Sequence, residues 1–497
     1  MTSSKKSILN SNLTYVIAFV LPLIMMAALY YTREIFPWGS DCYLRSDMYH
    51  QYAPFFSELW HKIRNGESLT YSWDIGMGTN FTSLYAYYLA SPANWFIVLF
   101  PQKYMIEIMN SLIILKIAGS SLAITYYITR HFDTKNCVAA LFGMFYGMSG
   151  FIAAYSWNIM WLDCVILLPL IMLGLERLVN ENKCIFYCVT LGLCIFTNYY
   201  ISIMVCISVV IYFIVLMISY NGPVSILQYV KKFINFCIYS LLAGGLGACL
   251  LLPEFYTFSL SASSDTSFPA QLKSYFSILS MLTRQLINVP VHLGLEHFPN
   301  IYCGVAVFLL IPLYVMCKKI NAREKIGKCI ILLIFLTAFN LNIPNYIWHG
   351  LHFPNSLPCR QSFIYIFFVL TMCFEAVYNI KELSNDGIDV VKFVVRLNKG
   401  KAFESLSVAA SGGEKSRLMI ALIASFNKIK KFDTLIFDEV DTGISGNIAL
   451  VVGKKIREIA KNSSVIAISH LPSVVAAASN FYLVYKNEIN GRTISHI

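Results

Sequence analysis

Long apolar runs separated by short polar segments occupy most of the chain before about residue 380. A helix needs about 20 consecutive apolar residues to cross the hydrocarbon core of a bilayer, and by this rule the sequence predicts about ten transmembrane helices. The chain is therefore expected to be an α-helical polytopic membrane protein. The predicted spans are 13–31, 105–129, 137–157, 159–179, 184–200, 201–219, 233–252, 301–317, 328–341 and 361–379.

Two segments of this pattern can be assigned to helices in more than one way. The apolar run from Cys184 to Tyr220 is too long for one helix, so we divide it at the polar and aromatic residues 198–200. Those residues either line a cavity or simply form the turn between two helices. The segment 84–100 is predicted to lie at the interface or to re-enter the membrane, because a further span here would invert the orientation of every later helix.

The distribution of basic residues predicts the orientation. Lys5 and Lys6 precede the first apolar run, which ends without a small-x-small cleavage site, so it is predicted to be an uncleaved span. Basic residues then concentrate in alternate loops, as the positive-inside rule requires of cytoplasmic loops. They are Arg130, Lys135, Lys183, Lys231, Lys232, Lys318, Lys319, Arg323, Lys325 and Lys328. Both termini of this multi-pass protein of the cell membrane are therefore expected in the cytoplasm.

Composition supports a membrane solvent. Hydrophobic residues make up 57% of the chain and charged residues only 13%, whereas soluble domains carry about 25% charge. The lipid bilayer is therefore the first expected partner, and the net charge of +11 is explained by topology better than by nucleic-acid binding. The 14 cysteines include no CxxC pair and lie mostly in apolar runs, where cysteine acts as a small hydrophobe.

The first predicted outer loop, residues 32–104, carries three aspartates among aromatic residues and glycines: Asp41, Asp47 and Asp74. A carboxylate packed against aromatic rings can gain proton affinity and act as a general base. The alternative is a solvated loop in which these carboxylates pair with neighbouring basic side chains and contribute little. The basic side chains in question are Arg45, Lys62 and Arg64.

Several blocks of sequence resemble the bacterial YfhO membrane-protein family. They are SDMYHQYAPFFSELWHKIRNGESLTYSWDIGMGTNF followed by YYLASPANW, then TNYYIS at 197–202, LLPEFYTFSLSAS at 251–263, FPNIYCGV at 298–305 and FPNSLPCRQSF at 353–363. That family is similar to membrane glycosyltransferases of the GT-C type. The resemblance implies transfer of a sugar from a polyprenyl-phosphate donor to a cell-envelope polymer outside the membrane.

The resemblance also suggests catalytic residues. An acidic residue in the first outer loop commonly serves as the base of GT-C enzymes, which makes Asp47 the first candidate and Asp41 the second. Arg360 is a candidate for binding the donor phosphate, because a guanidinium fork suits phosphate oxygens. Its alternative role is that of an interfacial anchor at the start of the last span.

Further residues are candidates for substrate binding. His50 and Gln51 lie within one or two helical turns of Asp47, and Asn198 and Tyr199 interrupt an apolar run. Family members continue with more spans and a large outer domain, whereas the membrane part here ends near Ile380. An acceptor-binding portion is therefore expected to be missing.

The pattern changes abruptly after Ile380. Long apolar runs give way to alternating charged and β-like segments after a turn signal at 384–387. Two predicted strands, Thr434–Phe437 and Val465–Ser469, flank a predicted helix at about 446–461, which is typical of a parallel αβ arrangement. The sequence thus predicts a membrane domain at 1–380 and an α/β domain at 384–497.

Three motifs in this second domain carry chemistry. SGGEKSRLMIAL begins at Ser411 and brings glycine amides to a helix N-terminus, a natural anion site. In LIFDEVD, Asp438 would hold Mg²⁺ and Glu439 would polarise the attacking water. His470, in ISHLP, follows another strand and is placed to sense a γ-phosphate. The candidate nucleotide-binding residues are Ser411, Gly412, Gly413, Glu414, Asp438, Glu439 and His470.

Together these motifs resemble the C-terminal head of RecN, an ABC-type recombination protein. That family is cytoplasmic, acts in DNA double-strand-break repair and binds ATP between two heads. The chain contains no G-x-x-x-x-G-K-[ST] loop to cradle nucleotide phosphates. The tail is therefore a partial ABC-ATPase head that is expected to bind Mg²⁺ and ATP, or DNA, only with a complete second head, and not to hydrolyse ATP alone.

The two resemblances leave three interpretations. The first is a truncated membrane glycosyltransferase with an inert soluble tail. The second is a DNA-repair fragment that has acquired a membrane anchor. The third is an accidental gene fusion in which neither half works. We favour the first as a description of what the chain does, because the membrane part dominates by length, and an accidental origin for the join.

Overall fold

The computed structural model describes two compact units: the membrane unit, Met1–Asn385, and the C-terminal unit, Asp386–Ile497. Each is a separate body with its own hydrophobic core. The residues described are 2–134, 136–220, 225–258, 268–354, 356–381, 394–395, 404–405, 412–429, 432–438, 446–489 and 492–496.

The described part of the membrane unit is almost entirely helical. Its helices are α1 (Thr2–Thr32), α2 (Ala53–Asn65), α3 (Phe81–Leu84), α4 (Met105–His131), α5 (Val138–Gly147), α6 (Gly150–Tyr155), α7 (Leu162–Glu181), α8 (Ile185–Thr197), α9 (Tyr199–Ser219), α10 (Ile226–Phe258), α11 (Ile278–Thr283), α12 (Val307–Met316), α13 (Ala322–Asn340), α14 (Asn342–Trp348) and α15 (Ser362–Lys381). The first outer loop adds π-helical turns at Met48–Tyr52 and Tyr85–Leu89, 3₁₀ helices at Pro92–Leu99 and Gln102–Tyr104, and a hairpin of β1 (Tyr71–Ser72) and β2 (Thr79–Asn80).

Six helices of the described residues are long and apolar enough to cross a membrane, so the prediction of about ten spans is not confirmed. Two other predicted spans correspond to the short apolar helices Ile185–Thr197 and Val307–Met316. The remaining two correspond to α7 and α13, which carry several charged residues. The six helices are Asn12–Thr32, Gln102–His131, Val138–Tyr155, Tyr199–Ser219, Ile226–Thr257 and Ser362–Ile380.

The segment 84–100 forms the second π-helical turn and the Pro92–Leu99 3₁₀ helix, without a continuous helix of spanning length. Tyr85, Ala86 and Leu89 are buried against the membrane unit, whereas Phe96 and Leu99 are exposed. The first outer loop therefore packs against the helices of the membrane unit.

The long apolar run after Cys184 breaks at Asn198, as the sequence predicts. Asn198 has an extended backbone, so α8 ends at Thr197 and α9 begins at Tyr199. Its side-chain oxygen accepts a hydrogen bond from the amide of Ile201 at 2.8 Å, which is the contact of an N-cap. Its side-chain amide donates to the carbonyl of Tyr87 at 2.9 Å. Asn198 therefore forms the turn and also ties the outer loop to the helices.

The core of the membrane unit is centred on α15, which packs against α4, α5, α7, α12 and α13. Most of its side chains are fully buried. Helix α10 is the opposite case: it contacts mainly α8, and Leu241 and Leu242 on it are largely exposed. Apolar side chains facing outward from such a helix suit contact with lipid.

The C-terminal unit contains a parallel strand pair, as predicted. Strand β5 (Thr434–Asp438) pairs with β6 (Ser464–Ile468), Thr434 opposite Ser464 and Asp438 opposite Ile468. A small core includes Ile420, Phe437 and Val452. The other described elements are the strand pair β3 (Val394–Val395) and β4 (Glu404–Ser405), α16 (Gly412–Ile429), α17 (Asn447–Ile459), α18 (Pro472–Val475) and the hairpin β7 (Tyr485–Ile489) with β8 (Arg492–His496).

Candidate functional site

Asp47 lies immediately before the first π-helical turn and is half-buried. Its carboxylate makes no capping hydrogen bond to that turn. Lys62, one of the basic residues expected to neutralise the outer carboxylates, pairs instead with Glu58 at 3.4 Å and Glu67 at 3.6 Å. Among the described residues no ion pair involves Asp47, so its charge remains available to a ligand.

Two tyrosines lie next to Asp47. The rings of Tyr52 and Tyr88 are 5.5 Å apart, and the Tyr52 hydroxyl donates to Asn158 Oδ1 at 2.9 Å. Burial raises the pKa of Tyr88 to about 12, with smaller increases from Tyr87 and from the Asp47 carboxylate. Burial also raises the pKa of Tyr52 well above its usual value, again with a contribution from Asp47. Both phenols therefore stay neutral.

Arg360 has the opposite effect on the same two tyrosines: its positive charge lowers the pKa of both. The guanidinium lies 5.2 Å from the ring centre of Trp161 and 5.1 Å from that of Tyr200. It donates to the carbonyls of Leu357 at 3.1 Å and Ser356 at 3.2 Å. Contacts with rings and neutral carbonyls orient Arg360 without neutralising it, and no ion pair with it occurs among the described residues.

Two histidines that the sequence analysis did not select complete this cluster. Burial lowers the pKa of His349 to about 3, and the positive charge of Arg360 is the next cause. The same two causes lower the pKa of His352. His349 Nδ1 donates to the carbonyl of Asn345 at 2.8 Å, which leaves Nε2 as an acceptor without a partner among the described residues. The signal in the sequence was their position just before the FPNSLPCRQSF block.

The other predicted substrate-binding residues are placed differently. Gln51 Oε1 lies 3.5 Å from the Tyr88 hydroxyl, at the edge of the cluster. His50 is exposed, and its ring contacts Tyr49 edge-on. The Tyr199 hydroxyl donates to Glu254 at 2.8 Å, and its ring lies 5.9 Å from Tyr87.

Asp41, the second candidate base, is exposed and separate from these contacts. Its backbone amide donates to Glu34 at 2.9 Å and its carbonyl accepts from Phe36 at 2.9 Å. We use the name outer cluster for the group formed by Asp47, Tyr52, Tyr88, Trp161, Tyr200, His349 and Arg360. These residues come from the first outer loop, the N-cap position of α7, helix α9 and the segment before α15, so only tertiary packing unites them.

In the C-terminal unit, strand pairing brings two predicted residues to one edge. Asp438 ends β5 and is exposed, and His470 follows the paired end of β6. Helix α16 begins at Gly412, so Gly412, Gly413 and Glu414 form its first turn. Ser411 and Glu439, the other predicted nucleotide-binding residues, lie outside the described residues.

The described residues contain no group of three or more His, Cys, Asp or Glu side chains that could hold a metal ion. Asp438 is thus a single candidate ligand for the predicted Mg²⁺. All 14 cysteines are free, as the sequence predicts for residues in apolar runs.

Comparison with known proteins gives matches for both parts of the chain. Residues 18–397 match the family described as "Bacterial membrane protein YfhO". The chain is also 41% identical over 116 residues to the DNA repair protein RecN of Bacillus subtilis (strain 168), and 38% identical over 112 residues to RecN of Xylella fastidiosa (strain 9a5c). These alignments cover 23% and 22% of this chain, and the chain spans only about a fifth of each relative (20% of both). No solved structure matches the chain.

Proposed function

The chain belongs to the family of the bacterial membrane protein YfhO, and we propose that its membrane unit is a GT-C-type glycosyltransferase. In this proposal a sugar passes from a polyprenyl-phosphate donor to a cell-envelope acceptor at the outer cluster. The RecN-like tail is an inert passenger. Both termini lie in the cytoplasm, and the domains are 1–380 and 384–497.

The observation that carries the proposal is that the charges of Asp47 and Arg360 both influence Tyr52 and Tyr88, whose rings lie 5.5 Å apart. Each changes the pKa of both Tyr52 and Tyr88, in opposite directions. Transfer from a phosphate leaving group needs a base for the acceptor and a cation for the phosphate. Neither is neutralised by an ion pair among the described residues, so both charges remain for substrates.

The proposed reaction assigns a role to each charge. The Asp47 carboxylate takes the proton of an acceptor hydroxyl while the hydroxyl oxygen attacks the anomeric carbon of the sugar. The bond from that carbon to the phosphate oxygen breaks, and polyprenyl phosphate leaves with the bonding electrons. The guanidinium of Arg360 stabilises the negative charge that grows on the leaving phosphate. The rings of Trp161 and Tyr200 hold that guanidinium in place.

The neutral His349 fits this assignment. Because its Nδ1 proton is used by Asn345, Nε2 is an acceptor beside the positive charge of Arg360. His349 is 1% exposed, so it supports the site from within the protein and adds no charge that would compete for the phosphate.

For the tail, we propose half of a composite nucleotide site that is inactive by itself. The placement of Asp438 and His470 at one edge of the β5–β6 pair supports it. RecN as a whole is a DNA repair protein, but this chain spans about a fifth of it and has no phosphate-binding loop. A repair function of the fusion is the alternative, and no described contact favours it over the first.

The test is sugar transfer by the purified full chain in proteoliposomes, supplied with a panel of polyprenyl-phosphate hexoses and N-acetylhexosamines and with cell-wall polymer. Asp47→Asn should reduce transfer by about 10²–10⁴-fold, the usual effect of removing a general base. Asp41→Asn is the matched control in the same loop, and Asp438→Asn is the control in the tail. Transfer that persists in Asp47→Asn but is lost in Asp41→Asn would reassign the base. No transfer from any donor by the wild-type chain would refute the proposal.

A further inference from the structure

A second site lies away from the outer cluster. A polar cavity of about 610 Å³ is formed by α4, α7, α9 and α13, and Arg130, His131, Glu176, Arg177, Tyr212 and Lys328 contribute to its lining. Arg130 and His131 end the spanning helix Gln102–His131. The cavity therefore lies where a membrane-spanning helix meets the polar boundary of the bilayer.

The acidic groups of this cavity are already engaged. Glu176 accepts hydrogen bonds from the hydroxyls of Tyr127 and Tyr212 at 2.7 Å each, and His131 Nδ1 lies 2.7 Å from its other oxygen. Lys328 Nζ lies 2.6 Å from Glu324 and 2.7 Å from Glu375. Glu176 and His131 form one pair, whereas Lys328 with two glutamates carries one net negative charge. Each of these carboxylates is nevertheless held by a partner within the membrane unit, so the contacts of a ligand must come from other side chains.

Two arginines in the lining are not engaged in this way. Arg130 lies over the ring of Tyr126 at 5.2 Å, and Arg177 over the ring of Phe186 at 5.4 Å. The carboxylate near Arg177, Glu181, is held by Lys183 at 2.6 Å. Within the described residues neither arginine has an ion-pair partner. Two guanidinium groups in a polar cavity form a site for an anion, and their geometry suits a phosphate.

An apolar groove of about 570 Å³ adjoins the cavity through Arg177, which lines both. The groove is bordered by Ile185, Phe186 and Val189. Ile185 is 77% exposed and Val189 is 44% exposed, as expected of side chains that face hydrocarbon. A polar, arginine-bearing cavity next to an apolar groove complements a molecule with an anionic head and an apolar chain.

We propose that this is a binding site for an anionic phospholipid of the membrane. Arg130 and Arg177 bind the phosphate, and an acyl chain lies along the groove of Ile185 and Val189. The predicted orientation places the site at the cytoplasmic leaflet, whose anionic lipids attract basic residues at the membrane surface. The lipid would bridge the end of α4 and the α7–α8 connection, so it would stabilise the membrane unit whether or not the outer cluster is active.

The test is native mass spectrometry of the full chain released from detergent, with phosphatidylglycerol or phosphatidylcholine added. The wild type should retain phosphatidylglycerol preferentially, and Arg130→Gln with Arg177→Gln should bind it at least about tenfold more weakly, because two charge-assisted contacts are lost. The control is Arg323→Gln, an exposed arginine of α13 outside the cavity, which should bind as the wild type does.

A second variant tests the groove with both arginines intact. Ile185→Asn with Val189→Asn should weaken retention of phosphatidylglycerol, and it keeps the test valid if the arginine variant does not fold. Inorganic phosphate at millimolar concentration separates a lipid from a free anion. The lipid assignment is overturned if phosphate displaces phosphatidylglycerol completely and the groove variant binds normally. Equal retention of both lipids, or no effect of the arginine variant, also overturns it.

Discussion

Lys116 Nζ lies 2.6 Å from Asp163 Oδ2, which joins α4 to α7 inside the membrane unit. The Lys116 side chain is 5% exposed and that of Asp163 13%. The ammonium also donates to Ser91 Oγ at 3.2 Å and to the carbonyl of Ile159 at 3.1 Å. Lys116 of α4 thus links α7 to the start of the Pro92–Leu99 3₁₀ helix in the first outer loop.

Removing one partner of this pair should strongly destabilise the membrane unit. Lys116→Met leaves a buried carboxylate without its cation, and the expected loss is about 3–5 kcal/mol in the free energy of unfolding. The double variant Lys116→Met with Asp163→Leu should recover much of it. The measurement is equilibrium unfolding by sodium dodecyl sulfate in mixed micelles.

The control is the pair Glu181–Lys183, which has the same 2.6 Å separation but side chains that are 47% and 73% exposed. Glu181→Gln should leave unfolding unchanged within error, because an exposed ion pair contributes little. Equal effects of Glu181→Gln and Lys116→Met would contradict the argument from burial.

Replacing Arg360 by lysine should impair sugar transfer although the charge is kept. The ammonium cannot form a two-pronged contact with phosphate, nor stack on Trp161 and Tyr200 in the same way. We expect kcat/KM for the polyprenyl-phosphate donor to fall by at least about tenfold. Arg64→Lys, an exposed change in the outer loop, is the control. Unchanged kinetics in Arg360→Lys would remove Arg360 from the donor site.

The buried, neutral His349 should lower the free energy of unfolding of the protein at acidic pH. Its pKa is about 3 in the folded protein and near 6.5 when unfolded, so between these values the unfolded chain binds a proton that the folded chain does not. The free energy of unfolding therefore decreases as the pH falls through this window, by up to about 1.4 kcal/mol per pH unit for one proton.

Thermal unfolding in detergent at several values between pH 4.5 and pH 7.5 measures this effect. His349→Gln should show a shallower decrease of Tm on acidification than the wild type, because the group that takes up the proton is gone. Parallel curves for the two proteins would show that His349 is not buried in a neutral form.

Asn198 should contribute two separable contacts. Asn198→Ala loses the N-cap of α9 and the bond to Tyr87, whereas Asn198→Ser keeps a capping oxygen and loses only the bond to Tyr87. We expect losses of about 0.5–2 kcal/mol for the cap and about 0.5–1.5 kcal/mol for the bond. The measurement is the free energy of unfolding in mixed micelles. Equal values for the two variants would show that the side chain at position 198 does not stabilise α9 as an N-cap.

The purified full chain should not hydrolyse ATP. The reason is chemical: no phosphate-binding loop is present in the sequence to hold the nucleotide. Release of phosphate from ATP, with Glu439→Gln as the matched variant, is the measurement. Turnover that disappears in Glu439→Gln would refute the prediction, because it would require a complete site in this chain.

The helical membrane character of the unit was predictable, because its cause is local: long apolar runs demand a lipid solvent wherever they occur. The number of spans was less predictable. Helix α13 carries Lys328 inside the unit beside two carboxylates, Glu324 of the same helix at 2.6 Å and Glu375 of α15 at 2.7 Å. A rule that counts apolar residues along one segment cannot detect a partner supplied by another helix.

The outer cluster was predictable only in parts. Asp47 and Arg360 were selected separately, from blocks that resemble one family, but nothing in either block indicates that they act on the same tyrosines. Tyr52 and Trp161 were missed because aromatic residues are abundant in this chain, with 31 tyrosines and 35 phenylalanines. His349 was missed because its neutral state depends on burial and on the charge of Arg360.

The sequence by itself thus determined that the first part is a membrane protein, that the long apolar run breaks at Asn198, and that the tail has a strand–helix–strand order. These features depend on apolar runs, caps and β-like segments, each of which is formed by residues close together in the chain. Tertiary structure alone decided the contacts between segments that are far apart in the sequence. Lys62 and Lys328 each pair with a glutamate one turn away in the same helix, whereas Glu375 reaches Lys328 only because α13 and α15 pack together. Arg360 likewise lies against two aromatic rings of other segments only in the folded unit. Such distances between segments are decided by packing.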